Sequence, residues 1–253
     1  MSRLADSPFT LFLVSFVALC LCAWFGAVVL ARYMTGGKEM REDLRTILAA
    51  CLTLLGLIVG FSFSMAVSRY DLRKSYEAAE ATAISTEYLR ADLLPSADAQ
   101  RIRQLLGSYL AARVQFFTNH EPDRVQELNE QAAALQVQMW SAVRGPAAAQ
   151  PNPLTALAVS GINEVINSQG NTQAAWWNRI PSEAWALMGV IAILCNVMLG
   201  FSAGELKRRG SLFVLPLVTA IAFFLIADID SPAGGGLIHV TPQNLLSLQQ
   251  QLH

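Results

Sequence analysis

Apolar and polar residues are segregated along this chain on the scale of whole helices rather than single turns. Four stretches carry no charged side chain: residues 9–31, 46–68, 184–204 and 210–227. A helix needs about 20 mostly apolar residues to cross the hydrocarbon core of a bilayer. The pattern therefore predicts about four transmembrane helices, the last being the shortest, with Pro216 near its start. Strongly charged sequence follows the first run where a signal peptide would have a small-residue cleavage site, so this run is expected to be a retained helix.

Between the second and third runs the periodicity is helical and polar. No Pro or Gly interrupts the chain from Phe61 to Leu94, and residues 75–94 are rich in Ala, Glu and Leu. The second run should continue out of the bilayer as one rod, roughly 70 Å long over residues 46–94. Pro95 ends it, and Ser96 is placed to cap a helix with the apolar face Ile102, Leu105, Leu106, Tyr109, Leu110 and Val114. Pro122 and Asp123 open another, whose Val125, Leu128, Ala132, Leu135 and Met139 keep a coiled-coil-like spacing. Residues 145–153 are expected to be a loop, and 154–166 a further helix ended by Gly170. The predicted fold is an all-α membrane protein with about four transmembrane helices, the second extending into an extramembrane helical bundle. The expected divisions are 1–68 (first two spans), 69–175 (bundle), 176–230 (interfacial segment and last two spans) and 231–253 (tail).

Composition agrees with this class. Hydrophobic residues make up 53 % of the chain and charged residues 15 %, with a net charge of −1; soluble domains carry about 25 % charged residues. Trp24 and Tyr33 near the end of the first run, and Trp176, Trp177 and Trp185 around Arg179, are expected at the membrane–water interface. Arg32, Lys38, Arg41, Arg45, Lys207, Arg208 and Arg209 in the short connectors outnumber the basic residues near the membrane on the other side. By the positive-inside rule this leaves the bundle outside. Cys20, Cys22, Cys51 and Cys195 all lie in apolar runs, and His120, His239 and His253 are scattered, so no disulfide framework or metal cluster is expected. Phosphate-binding, dinucleotide-binding, hydrolase-elbow and zinc-protease motifs are absent. The sequence points to no enzyme, no cofactor and no nucleic-acid partner.

Three groups of residues are candidates for function. Small residues recur every four positions in the second run (Gly56, Gly60, Ser64, Ser68) and the third (Ala192, Asn196, Gly200, Gly204). Such ladders let helix backbones approach closely, here the two ladder helices, within or between subunits. The other reading is a pore or polar pathway lined by Gly and Ser, with Phe61 or Phe63 as an apolar constriction and Asn196 as a mid-membrane amide. Asp228 and Asp230 leave the fourth run at the membrane boundary. They either pair with Arg69, Arg73 or Arg179, or form an acidic mouth or cation site. The cluster Arg69, Asp71, Arg73, Lys74, Glu77 and Glu80 has the spacing of charges that solvate a helix.

Three segments also carry a family resemblance: residues 60–71 (GFSFSMAVSRYD), 80–84 (EATAI) with 88–95 (YLRADLLP), and 226–232 (IADIDSP). Together they resemble the bestrophin-like membrane family. The resemblance implies a relation to bestrophins, pentameric anion channels with a long cytosolic helical part, and so would place the bundle in the cytoplasm. Where the family pattern often has a basic residue after the second Asp, this chain has Ser231. Two functions follow. One is an oligomeric ion channel, pentameric by analogy, with the second helix around the axis and inorganic ions as its cargo. The other is a non-conducting membrane sensor or scaffold whose bundle binds a ligand or partner. A bacterial inner membrane is the expected location.

Overall fold

The computed structural model of the chain describes residues 7–33, 38–119, 121–203, 212–231 and 236–252, which form helices and no strand. Gly204, the basic residues 207–209, residues 232–235, His120 and His253 lie outside the described residues.

The helices are α1 (Pro8–Phe25), α2 (Lys38–Arg90), α3 (Ser96–Thr118), α4 (Pro122–Ala149), α5 (Pro153–Trp177), α6 (Ser182–Ala203), α7 (Val214–Asp230) and α8 (Gln243–Gln251). Among the described residues, three helical stretches, Pro8–Leu30, Glu42–Leu93 and Pro153–Ser202, are long and apolar enough to cross a membrane. The chain is therefore an integral membrane protein. The fourth apolar run forms α7, a helix of 17 residues.

The second run and the polar segment after it are one helix of 53 residues, α2, closed by a 3-10 turn over Ala91–Leu93. Its end is set by Pro95, because the residue before a proline is driven out of the helical region; Leu94 is extended, with φ −99° and ψ 161°. Ser96 lies inside α3 rather than capping it, and Pro95 takes the flanking position.

Two expectations about helix ends need correction. Residues 145–149 are helical rather than loop: α4 carries Pro146 within it, and the good helix formers Ala147, Ala148 and Ala149 follow. Gly170 does not end α5, which runs on to Trp177; no described glycine takes the positive φ of a helix-terminating residue. The start of α5 is sharply encoded. The Asn152 side chain accepts from the Leu154 and Thr155 amides, the Thr155 hydroxyl accepts from the Asn152 amide, and Pro153 occupies the first turn.

The chain divides into two compact units. The first comprises Met1–Ser68 and Arg179–Ile238. Here α1 packs along both α6 and α7. Leu19, Ala23 and Gly26 form its buried stripe, and Phe9 and Phe12 lie on Phe224 with centroids 5.1 and 6.3 Å apart. From Gly26 to Leu30 the continuation of α1 widens into a π-helical turn.

The second unit comprises Arg69–Asn178 and His239–His253. Its core gathers Ile84 of α2, Leu106 and Phe116 of α3, Leu128 and Met139 of α4, Ile162 of α5 and Leu245 of α8. Trp176 belongs to this core, packed on Phe116 and Phe117 at 4.9 and 5.3 Å, rather than to an interfacial belt. Its neighbour Trp177 is the exposed one.

Candidate functional site

The seam that α2 buries repeats every seven residues: Ala66, Arg73, Glu80 and Glu87, with Glu77 and Ile84 beside them. Arg73, Glu77 and Glu80 are thus buried and do not solvate the helix as their spacing suggested; Asp71 and Lys74 do stay exposed. Glu80 forms the centre of a network. Its carboxylate is paired with Arg113 of α3, also fully buried, and accepts from the Tyr109 hydroxyl at 3.1 Å and the Thr172 hydroxyl at 3.0 Å. Arg113 also reaches Asn129 of α4 at 3.3 Å and lies 4.3 Å from the Phe116 ring. Every side of this ion pair is satisfied, as burial of two charges requires. Burial and the Glu80 charge push the Tyr109 phenol well above its ordinary range.

Glu77 holds the C-terminal helix. Its oxygens accept from the backbone N–H of Asn244 and Leu245, at 3.0 and 2.9 Å, and from the Asn244 side chain at 2.7 Å. A carboxylate on the free amides of a helix N-terminus meets both their hydrogen-bonding need and the helix dipole. Sequence reading missed these partners. The available signal was that Glu77, Glu80 and Glu87 share a helix face with Ile84.

On the other side of α2 lies the small-residue ladder. Gly56, Gly60, Ser64 and Ser68 are exposed, and nothing stands within 4 Å of a Cβ position at Gly56 or Gly60. Phe61 and Phe63 flank the stripe, 65 % and 41 % exposed, while Ser62 and Ala66 point inward.

The ladder of the third run behaves differently. Ala192, Asn196 and Gly200 of α6 are buried. A methyl at Gly200 would overlap the Ala23 carbonyl of α1, and one at Gly26 would overlap the Val197 carbonyl. At these glycines α6 is therefore pressed on α1, not on the ladder of α2. The Asn196 amide donates to the Ala192 carbonyl one turn back at 2.8 Å, and its Oδ1 has no partner.

Asp228 and Asp230 end α7, 1 % and 6 % exposed. Asp228 accepts from the Leu237 amide at 2.8 Å and the Ile238 amide at 3.2 Å, and a methyl at Gly236 would collide with its carboxylate. Asp230 accepts from the Ile180 amide at 3.0 Å. Both carboxylates are turned inward onto backbone N–H groups, each tethering a loop to the end of α7. Among the described residues no group of three His, Cys, Asp or Glu side chains is placed to hold a metal ion. Arg73 Nε donates to the Arg69 carbonyl at 3.3 Å.

The second unit also carries an open groove of about 540 Å³ lined by Tyr88, Arg103, Gly107, Ser108, Gln249 and Leu252. Arg103 lies across the Tyr88 ring at 5.0 Å and pairs with Asp92 at 2.6 Å.

The fold matches crystal structures of a bacterial bestrophin homologue from Klebsiella pneumoniae. A tryptophan-to-alanine variant superposes with a TM-score of 0.70 at 13 % identity, covering 95 % of each chain. A tyrosine-to-alanine variant gives 0.68 at 13 % identity over 95 % of this chain and 97 % of the other. The zinc-phased structure gives 0.67 at 13 % identity over 95 % and 96 %. No curated protein matches at the sequence level. A family model described as the Bestrophin-like domain matches residues 12–245, most of the length, and the chain belongs to the bestrophin-like family.

Proposed function

We propose that the chain is the subunit of a homo-oligomeric ion channel whose pore is lined by α2. The observation that carries this reading is the outward stripe Gly56, Gly60, Ser64 and Ser68, which the chain leaves uncovered while it buries the opposite face of the same helix. Large apolar side chains suit lipid; a row of glycines and serines suits close contact with another helix or with water. Around a symmetry axis that row faces the permeating ion, and Phe61 or Phe63 narrows the path. Membership of the bestrophin-like family supports the channel reading, and its analogy with bestrophins supports five copies. In this arrangement α7 is a fourth, short crossing, and the loops tethered by Asp228 and Asp230 shape one end of the path. The host membrane is a bacterial inner membrane.

The test is solvent access to the stripe. In a background with Cys20, Cys22, Cys51 and Cys195 replaced, Ser64→Cys reacts with a membrane-impermeant thiol reagent and the reaction changes ion flux from liposomes. A Ser64→Cys side chain inert to that reagent contradicts the proposal. The groove beside Tyr88 and Arg103 favours the second reading, a sensor or scaffold binding a ligand there; that reading predicts liposomes that stay tight to ions.

A further inference from the structure

Glu87 lies in the second unit on α2, fully buried, and neither of its carboxyl oxygens has a hydrogen-bond partner. An ionised carboxylate in such surroundings is strongly disfavoured, since nothing replaces its lost hydration. The neutral acid removes that cost.

The packing is built around the carboxyl. Gly161 of α5 sits directly against it, so close that a methyl at Gly161 would overlap the Glu87 carboxyl. A glycine here lets α5 close onto the acid. The charged groups that act on Glu87 are Arg90, one turn further along α2, and Glu164, one turn further along α5. These two pair with each other at 3.7 Å, and Arg90 Nη1 lies 3.1 Å from the Cβ position of Gly161. Arg103 of α3 is engaged elsewhere, by Asp92 at 2.6 Å and the Tyr88 carbonyl at 3.3 Å. The local cation is thus turned to Glu164, and the buried acid is left facing a glycine.

We propose that Glu87 is a proton-operated latch between α2 and α5. With the proton on, Gly161 seats on the neutral carboxyl. When the O–H bond ionises, the proton passes to water, the carboxylate draws Arg90 away from Glu164, and the seat on Gly161 loosens. Burial pushes Glu87 up to about 8, with Arg90 working against the rise and Glu164 adding to it, so the latch operates from neutral to mildly alkaline pH. The ligand of this site is a proton, and the inference does not depend on conduction.

Infrared difference spectroscopy of the full chain in lipid nanodiscs, titrated from below neutral pH into the alkaline range, reads the latch directly. The expected result is the carbonyl stretch of a carboxylic acid free of hydrogen bonds, present at neutral pH, lost with a midpoint near 8, and absent in Glu87→Gln. Glu164→Gln keeps the acid but frees Arg90 to neutralise it, so its midpoint falls by about one pH unit. This second variant carries the test if Glu87→Gln does not fold. The proposal is overturned if neutral pH shows no such acid band, if Glu87→Gln leaves the band in place, or if Glu164→Gln leaves the midpoint unmoved or raises it.

Discussion

Gly26 on the first helix and Gly200 on the sixth stand against each other's backbone, each where the opposite helix leaves no room for a Cβ. In lipid no hydrophobic force drives helices together, so close backbone approach is the main source of packing energy between them. Overpacking such a contact costs about 1–3 kcal/mol. Gly200→Val therefore lowers the melting temperature of the purified protein by several degrees. Gly56→Ala, which meets open space in the chain, leaves it nearly unchanged. Equal effects of the two would show that the α1–α6 contact is not special.

The Glu80–Arg113 pair ties α2 to α3 within the bundle, with Thr172 of α5 on the same carboxylate. Removing one partner strands a buried charge, at about 3–5 kcal/mol. Arg113→Met or Glu80→Leu alone should lower stability by that amount. The double variant should be less destabilised than the sum of the two. Thermal melts of the four proteins form the cycle, and strict additivity would mean that the two residues act independently.

Little of this network was legible in the sequence, although the architecture was. Uncharged runs the length of a bilayer, an unbroken Phe61–Leu94 segment and a proline at 95 are strong local signals, and they gave the helices. The register of α2 was legible only in part. The stripe from Gly56 to Ser68 stood out because its small residues recur every four positions, whereas Glu77 and Glu80 looked like the charges of any solvated helix and nothing local marked Glu87. What buries them is distant in sequence: Arg113, Asn244 and Gly161. Trp176 was misplaced for the same reason, since nothing local announces Phe116 and Phe117. The apolar runs say that helices pack; they do not say that Gly200 meets α1.

The C-terminal helix is short, and Glu77 supplies its N-terminal hydrogen bonds. Loss of a helix N-terminal partner costs about 1 kcal/mol. In Glu77→Ala, amide exchange across Gln243–Gln251 should quicken roughly fivefold to tenfold, with exchange in α4 unchanged. Unaltered exchange in α8 would show that the apolar contacts of Leu245 and Leu248 suffice.

Glu87 gives stability a pH dependence of defined sign. Its carboxyl moves from the ordinary 4.5 to about 8 on folding. Between those values the folded chain holds a proton that the unfolded chain has lost, so stability falls as pH rises through that window and levels off above it. Glu87→Gln should melt with a flatter profile over the same range and be relatively more stable at the alkaline end. A variant with the same slope as the unmodified chain would remove Glu87 from the account.

Current recording from protein reconstituted in planar bilayers tests the pore reading most directly. The proposal predicts an ionic current in the unmodified protein, blocked in a folded Ser64→Trp variant and retained in Leu13→Trp, whose site is exposed on α1. No current under any ion gradient, or undiminished current through Ser64→Trp, would contradict a pore lined by α2.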